Sequence, residues 1–259
     1  MLLRRDDRGV LAVGQLSHSW ISGQLARAWG NERFGEPAPR EDVILGAQQH
    51  DLGMSAWDLA PPRNPETGLP VSFTEMPLEV SLAQWRDGPR RLVTQSRYAA
   101  LLASMHGYKL YDRHNLEAAP VAQARAIRAY LDEQRAFQAA LAQGLRGDPA
   151  TAKFATDETV DRNSRLLWTW DLLSLMLILD WAPRDPHPVP STDGECRLEL
   201  LPTGEPGHFW LAPWPLREGA VAVRCEGRRL ERSYDTDLAL SEALAAAPWE
   251  TLEFVLERE

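Results

Sequence analysis

The apolar positions of this chain change period along its length. Residues 2–5 (LLRR) and 10–13 (VLAV), joined by Asp6-Asp7-Arg8-Gly9, read as a β-hairpin. Leu16, Trp20, Ile21, Leu25 and Trp29 then recur at helical spacing, and Gly30-Asn31 supplies a stop signal. A second helix is predicted from near Pro39 through Val43, Ile44 and Ala47 to His50. Residues 52–76 contain four prolines and keep no period, so a long irregular segment is expected there, of the kind that often carries function. Further helices are predicted at 77–86, 91–112, 117–145 and 159–181. The middle of the last is apolar on every side, as at the centre of a bundle.

Four prolines within residues 182–194 then mark a linker or rim. Beyond it RLELL, HFWLA, AVAVRCE and LEFVLE alternate as strands do, and ALSEALAAA reads as one helix. The expected organisation is a helical body with the hairpin over residues 1–181 and a small β-rich region over 182–259. The two are expected to pack as one unit, with the hairpin joining the C-terminal strands.

Composition narrows the function classes. With 44% hydrophobic and 25% charged residues, the chain has the make-up of an ordinary globular protein. Its net charge of -9 argues against a duplex nucleic-acid partner, which calls for a basic field. Cys196 and Cys225 are too few for a thiolate metal site or a disulfide scaffold. The N-terminus lacks a signal-type apolar core, and Asp171 and Asp180 interrupt the most apolar stretch, LLWTWDLLSLMLILDW. The expectation is a cytoplasmic protein with no membrane partner. No glycine-rich phosphate loop, nucleophile elbow, CxxC or HExxH motif is present.

The chemistry-bearing residues lie elsewhere. In ILGAQQHDLG, His50 and Asp51 stand side by side where a helix ends. Adjacent residues do not face each other on a helix, but two side chains splayed from its end can grip one ion. His18 lies on the apolar side of the first helix, as either a ligand or a hydrogen-bonded core residue. Asp171 sits among apolar neighbours, where a carboxylate costs several kcal/mol unless it is paired or bound to a cation. A metal ion, a buried ion pair or a cap for another helix would each satisfy it. His106 lies mid-helix in LLASMHGYKL beside Gly107, and His114 near that helix's end reads as solvated.

The order His18, His50-Asp51, Asp171, each in a separate helical segment, resembles the HD superfamily of metal-dependent phosphohydrolases. That resemblance spans residues 15–181 and implies a mainly α (α+β) fold, an HD-like helical bundle with a small C-terminal β-rich region. It implies a divalent ion held by His18, His50, Asp51 and Asp171. The nitrogen and oxygen donors suit manganese, iron, nickel, cobalt or zinc, with magnesium as a further option. The stretches HSWISGQLARAWGN, QQHDLGMSAWD, TGLPVSF, LLASMHGYKL and RLLWTWDLLSL also resemble an uncharacterised bacterial family, domain of unknown function 3891. That family implies little about mechanism.

A phosphoester or nucleotide hydrolase using a metal-activated water is therefore expected, with Asp51 and His106 as catalytic residues. Lys109, three residues past His106, and Arg165, six before Asp171, are the candidates to hold phosphate. Trp57 and Asp58, just beyond the doublet, are the candidates to close over the substrate. The alternatives are a non-catalytic domain that binds a metal or nucleotide as a sensor, and a scaffold whose histidines form a hydrogen-bond network without metal.

Overall fold

The computed structural model describes residues 1–181 and 188–259. The chain opens with the hairpin β1 (Leu2–Asp6) and β2 (Gly9–Val13), followed by helices α1 (Gln15–Ala28) and α2 (Arg40–Gln49). A single 3-10 turn at Leu52–Met54 leads into the short α3 (Ser55–Leu59), and a second such turn lies at Phe73–Glu75. Helices α4 (Leu78–Leu92), α5 (Arg97–Asp112), α6 (Val121–Arg146) and α7 (Asp157–Leu179) complete the helical part. Then come β3 (Val189–Ser191), β4 (Gly194–Cys196), β5 (Glu199–Pro202), β6 (His208–Ala212), β7 (Ala220–Leu230), α8 (Asp237–Ala246) and β8 (Trp249–Glu257).

Local chemistry sets several of these boundaries. Ser96 caps α5 by accepting the Ala99 N–H, and Thr156 caps α7 by accepting that of Thr159. Pro120, which has no N–H to give, delays α6 until Val121. Of the segment read as a linker or rim, residues 182–187 lie outside the described residues. The remainder enters the antiparallel pair β3–β4.

An HD-like bundle with a small β-rich region is not what forms. Helix accounts for about 51% of the chain and strand for 19%, and the main sheet is a curled half-barrel of six strands. Its order is β1-β2-β7-β8-β6-β5, antiparallel except where β6 runs parallel to β8. The hairpin supplies one edge through the register Val10–Leu230 to Val13–Gly227. β7 and β8, at 11 and 9 residues, are long enough to twist and curl the sheet. Their inward side chains then face helices rather than solvent. Leu11 and Val13, Ile21 and Leu25 of α1, Trp170 and Leu177 of α7, and Val223, Phe254 and Leu256 belong to one buried cluster. Each such side chain removed from water contributes about 1.5–3 kcal/mol, so sheet and helices hold one another.

A smaller cluster, with Met54, Trp85, Tyr111 and Tyr130, lies between α4, α5 and α6. Among the described residues no helix is long and apolar enough to cross a membrane.

Candidate metal centre

Helix α1 crosses α2 at close range because Gly23 has no side chain. A Cβ there would stand 2.6 Å from Cβ of Gln48. The approach brings His18 beside the end of α2, and the two imidazoles meet edge to face with centroids 5.3 Å apart. Helix α2 stops at Gln49; His50 keeps helical backbone angles as its C-cap, and the chain leaves the spiral at Asp51. Helix α5 adds His106, and α7 adds Asp171. All five side chains are buried.

The carboxylates lie between the rings. Asp51 Oδ2 is 2.6 Å from His18 Nε2 and 3.6 Å from His50 Nε2. Asp171 Oδ1 is 3.3 Å from His50 Nε2 and 3.7 Å from His18 Nε2, and its Oδ2 is 3.5 Å from His106 Nε2. Metal bonds of about 2.0–2.2 Å at tetrahedral angles put neighbouring ligand atoms about 3.3–3.6 Å apart. Most of these separations match that spacing; the His18–Asp51 contact is tighter and would have to open. Two overlapping groups, His18 with His50 and Asp51, and His50 with His106 and Asp171, have donor atoms within 4.8 Å of one another and could each hold an ion.

Contacts outside the cluster set the tautomers. His50 Nδ1 donates to the carbonyl of Ala47 at 2.8 Å, leaving Nε2 aimed at the carboxylates with no hydrogen bond among the described residues. His18 Nδ1 lies 2.7 Å from Ser174 Oγ, whose own proton goes to the Asp171 carbonyl at 2.7 Å. Ser174 therefore accepts from His18, and the His18 Nε2 lone pair also faces a carboxylate. Two lone pairs facing two carboxylates repel unless a cation or protons lie between them.

The electrostatics reflect this. Burial favours a neutral His50, yet the charges of Asp51 and Asp171 overcome it and push its pKa up to about 9. Burial also disfavours both carboxylates as anions, but the surrounding histidines hold Asp51 and Asp171 below the ordinary carboxylate range. His106 goes the other way: burial, only partly offset by Asp171, lowers it to about 4. Its ring lies between Trp85 and Trp168, at centroid distances of 5.5 and 5.1 Å. Gly107 permits that arrangement, since a Cβ there would meet Tyr130 Oη at 2.6 Å and Trp85 at 2.7 Å.

A cavity of about 500 Å³ opens over the cluster. His18, Asp51, His106 and Asp171 form its buried floor, and Thr74 and His114 its exposed rim. Between them the walls are mostly apolar, with Met54, Phe73, Trp85, Leu110, Tyr111 and Leu175.

Four substrate candidates named from sequence are placed elsewhere. Lys109 stands 3.9 Å from Asp161, and Arg165 pairs with Glu195 at 2.6 Å. Both border a separate cleft of about 350 Å³ with Arg113 and Trp168. On a helix, three residues past His106 is 60° off its direction, and six before Asp171 is 120° off. Those offsets put both cations on the far side of Trp168. Asp58 accepts the Leu16 N–H at 3.3 Å, so it caps α1, and burial raises its carboxyl to about 6. Trp57 is half-buried and does not line the cavity. The irregular segment reaches the cavity at its two ends, through Met54 and through Phe73, Thr74 and Met76.

Ser174 went unnoticed in the sequence, although a hydroxyl three residues past Asp171 in an apolar helix was a usable signal. The apolar wall residues offered none, because an apolar side chain lining a cavity looks like any other core residue.

Comparison with known proteins adds a family but no mechanism. No curated protein matches the chain, and no solved structure does. A family model described as "Protein of unknown function (DUF3891)" matches residues 1–232, which contain every residue of the cluster, and the chain belongs to that family.

Proposed function

We propose that the protein is a metal-dependent hydrolase that cleaves a phosphoester with an activated water. The observation that carries this reading is the pair of histidine Nε2 lone pairs, on His18 and His50, converging on Asp51 and Asp171, at ligand spacing except for the closer His18–Asp51 contact, with both tautomers held from outside. The ligand order is that of HD phosphohydrolases; the proposal takes over the ligand set and not the bundle.

One ion is the natural load. His50 offers a single lone pair, because Nδ1 is committed to Ala47, and both candidate groups share it. His18, His50, Asp51 and Asp171 would hold a divalent ion here, which would supply a water of near-neutral pKa and polarisation of a phosphoryl oxygen. The protein supplies the rest. Asp51 and Asp171 would hold the ion on the cavity floor, and the Met54, Phe73 and Leu175 walls limit bulk solvent. His106, on the floor with Nε2 3.5 Å from Asp171 Oδ2, is the group proposed to move the water's proton to the leaving alcohol. Gln15, Thr74 and Ser81 are neutral polar groups of the lining that can orient the phosphoryl oxygens.

The test is metal analysis of untagged protein, followed by a phosphoester screen with manganese, iron, nickel, cobalt, zinc and magnesium. The expected result is one equivalent of metal and turnover that Asp171→Asn abolishes. Stoichiometric metal with no turnover would make the domain a sensor, and protein that retains no metal would leave only the hydrogen-bonded scaffold.

A further inference from the structure

The cavity over the cluster is poor in positive charge. Its described lining contains neither lysine nor arginine. Lys109, Arg113 and Arg165 instead border the other cleft, with Trp168. A divalent ion held by Asp51 and Asp171 is itself neutralised by the two carboxylates. Such a centre has little surplus charge with which to attract an anion. Sites that bind phosphate dianions or nucleoside triphosphates ordinarily supply several cationic donors. The walls instead offer contiguous apolar area from Phe73, Leu110, Tyr111 and Leu175.

Resting on the hydrolase reading above, we propose that the substrate is a phosphodiester, a monoanion with at least one apolar or aromatic ester group seated against these walls. Phosphomonoester dianions and nucleoside polyphosphates are excluded by charge. The reaction balances as a hydrolysis: water oxygen bonds to phosphorus, one P–O ester bond breaks, and the departing alkoxide takes the proton that His106 received from the water. The product is an alcohol and a phosphomonoester. The monoester then gains a second negative charge at neutral pH, because its second pKa is about 6. The same lack of cations that selects against dianions therefore favours release of this product.

The experiment uses the full chain loaded with manganese near pH 8, where a monoester is fully dianionic. It compares kcat/KM for bis(p-nitrophenyl) phosphate, p-nitrophenyl phosphate and ATP. The expected result is a diester preference of about tenfold or more over either rival. Calorimetry with diethyl phosphate and inorganic phosphate gives an independent binding readout, in which the monoanion should bind more tightly. Met76→Arg adds a cation to the cavity wall, away from the ligands. It should narrow the diester-to-monoester ratio by about tenfold with metal content unchanged. Equal or faster monoester turnover, or a ratio that Met76→Arg does not move, overturns the charge-selection inference and leaves the hydrolase standing. Metal-loaded protein that cleaves none of the three overturns the hydrolase reading itself.

Discussion

If an ion replaces protons between His18, His50 and the two carboxylates, its binding must appear as folding stability, and Asp171 must carry much of the effect. Unfolding scatters these ligands, which come from residues 18, 50, 51 and 171, so the ion binds the folded state almost alone. At a free concentration of about 100 times Kd, the linkage is worth about 2.7 kcal/mol. With 259 residues, at roughly 2.1 cal/mol/K of unfolding entropy each, the total is about 0.54 kcal/mol/K. The midpoint should therefore rise by about 5 °C when chelator-treated protein is titrated with manganese. Asp171→Asn keeps the shape but removes one anionic ligand, and the rise should fall below about 1 °C. The apo variant should also melt below apo wild type, because His50 then faces one carboxylate instead of two. Differential scanning calorimetry with and without metal measures all four states. An Asp171→Asn variant that retains the full metal-induced rise would refute the assignment of Asp171 as a ligand, and with it the centre.

Four further outcomes follow from the same geometry. Below its pKa of about 9, His50 must lose a proton before Nε2 can donate to a metal, so affinity measured by calorimetry should climb about tenfold per pH unit from about pH 6 to 8.5. In chelator-treated protein the sign reverses: stability contributed by protonated His50 is complete below its ordinary value of 6.5 and is lost as pH rises through about 9. Gly107→Ala and Gly23→Ala should each lower stability by about 1–3 kcal/mol in urea melts, since the added methyl meets Tyr130 and Trp85 in one case and Gln48 in the other. Wild-type stability in either would show that the helices can separate without cost. Lys109→Ala and Arg165→Ala should leave metal content and phosphoester turnover within about twofold of wild type, because both face the second cleft.

Much of the centre was legible because burial makes certain residues anomalous. A carboxylate in the middle of LLWTWDLLSL needs a partner wherever the helix packs, and a His-Asp pair at a helix end splays whatever lies opposite. His106 was visible on the same ground, as an imidazole inside an apolar helix next to a glycine. Helix and strand types were legible too, since a period of 3.6 or 2 is a local property. What the residues could not state was which faces meet. Lys109 and Arg165 lie near His106 and Asp171 along the chain, but a 60° or 120° rotation on the helix, with Trp168 between, sends them into another cleft. Asp58 follows the doublet closely but caps α1, because the chain reverses after a single 3-10 turn.

The sheet shows the same division. Each strand was readable from its alternation, yet nothing local says that the hairpin at residues 2–13 should form one edge of a six-stranded half-barrel completed by β7 and β8. That pairing joins segments more than 200 positions apart. It is selected by the apolar surface that Leu11, Val13, Val223 and Phe254 bury together against α1 and α7, a sum over distant residues that no window of the chain contains.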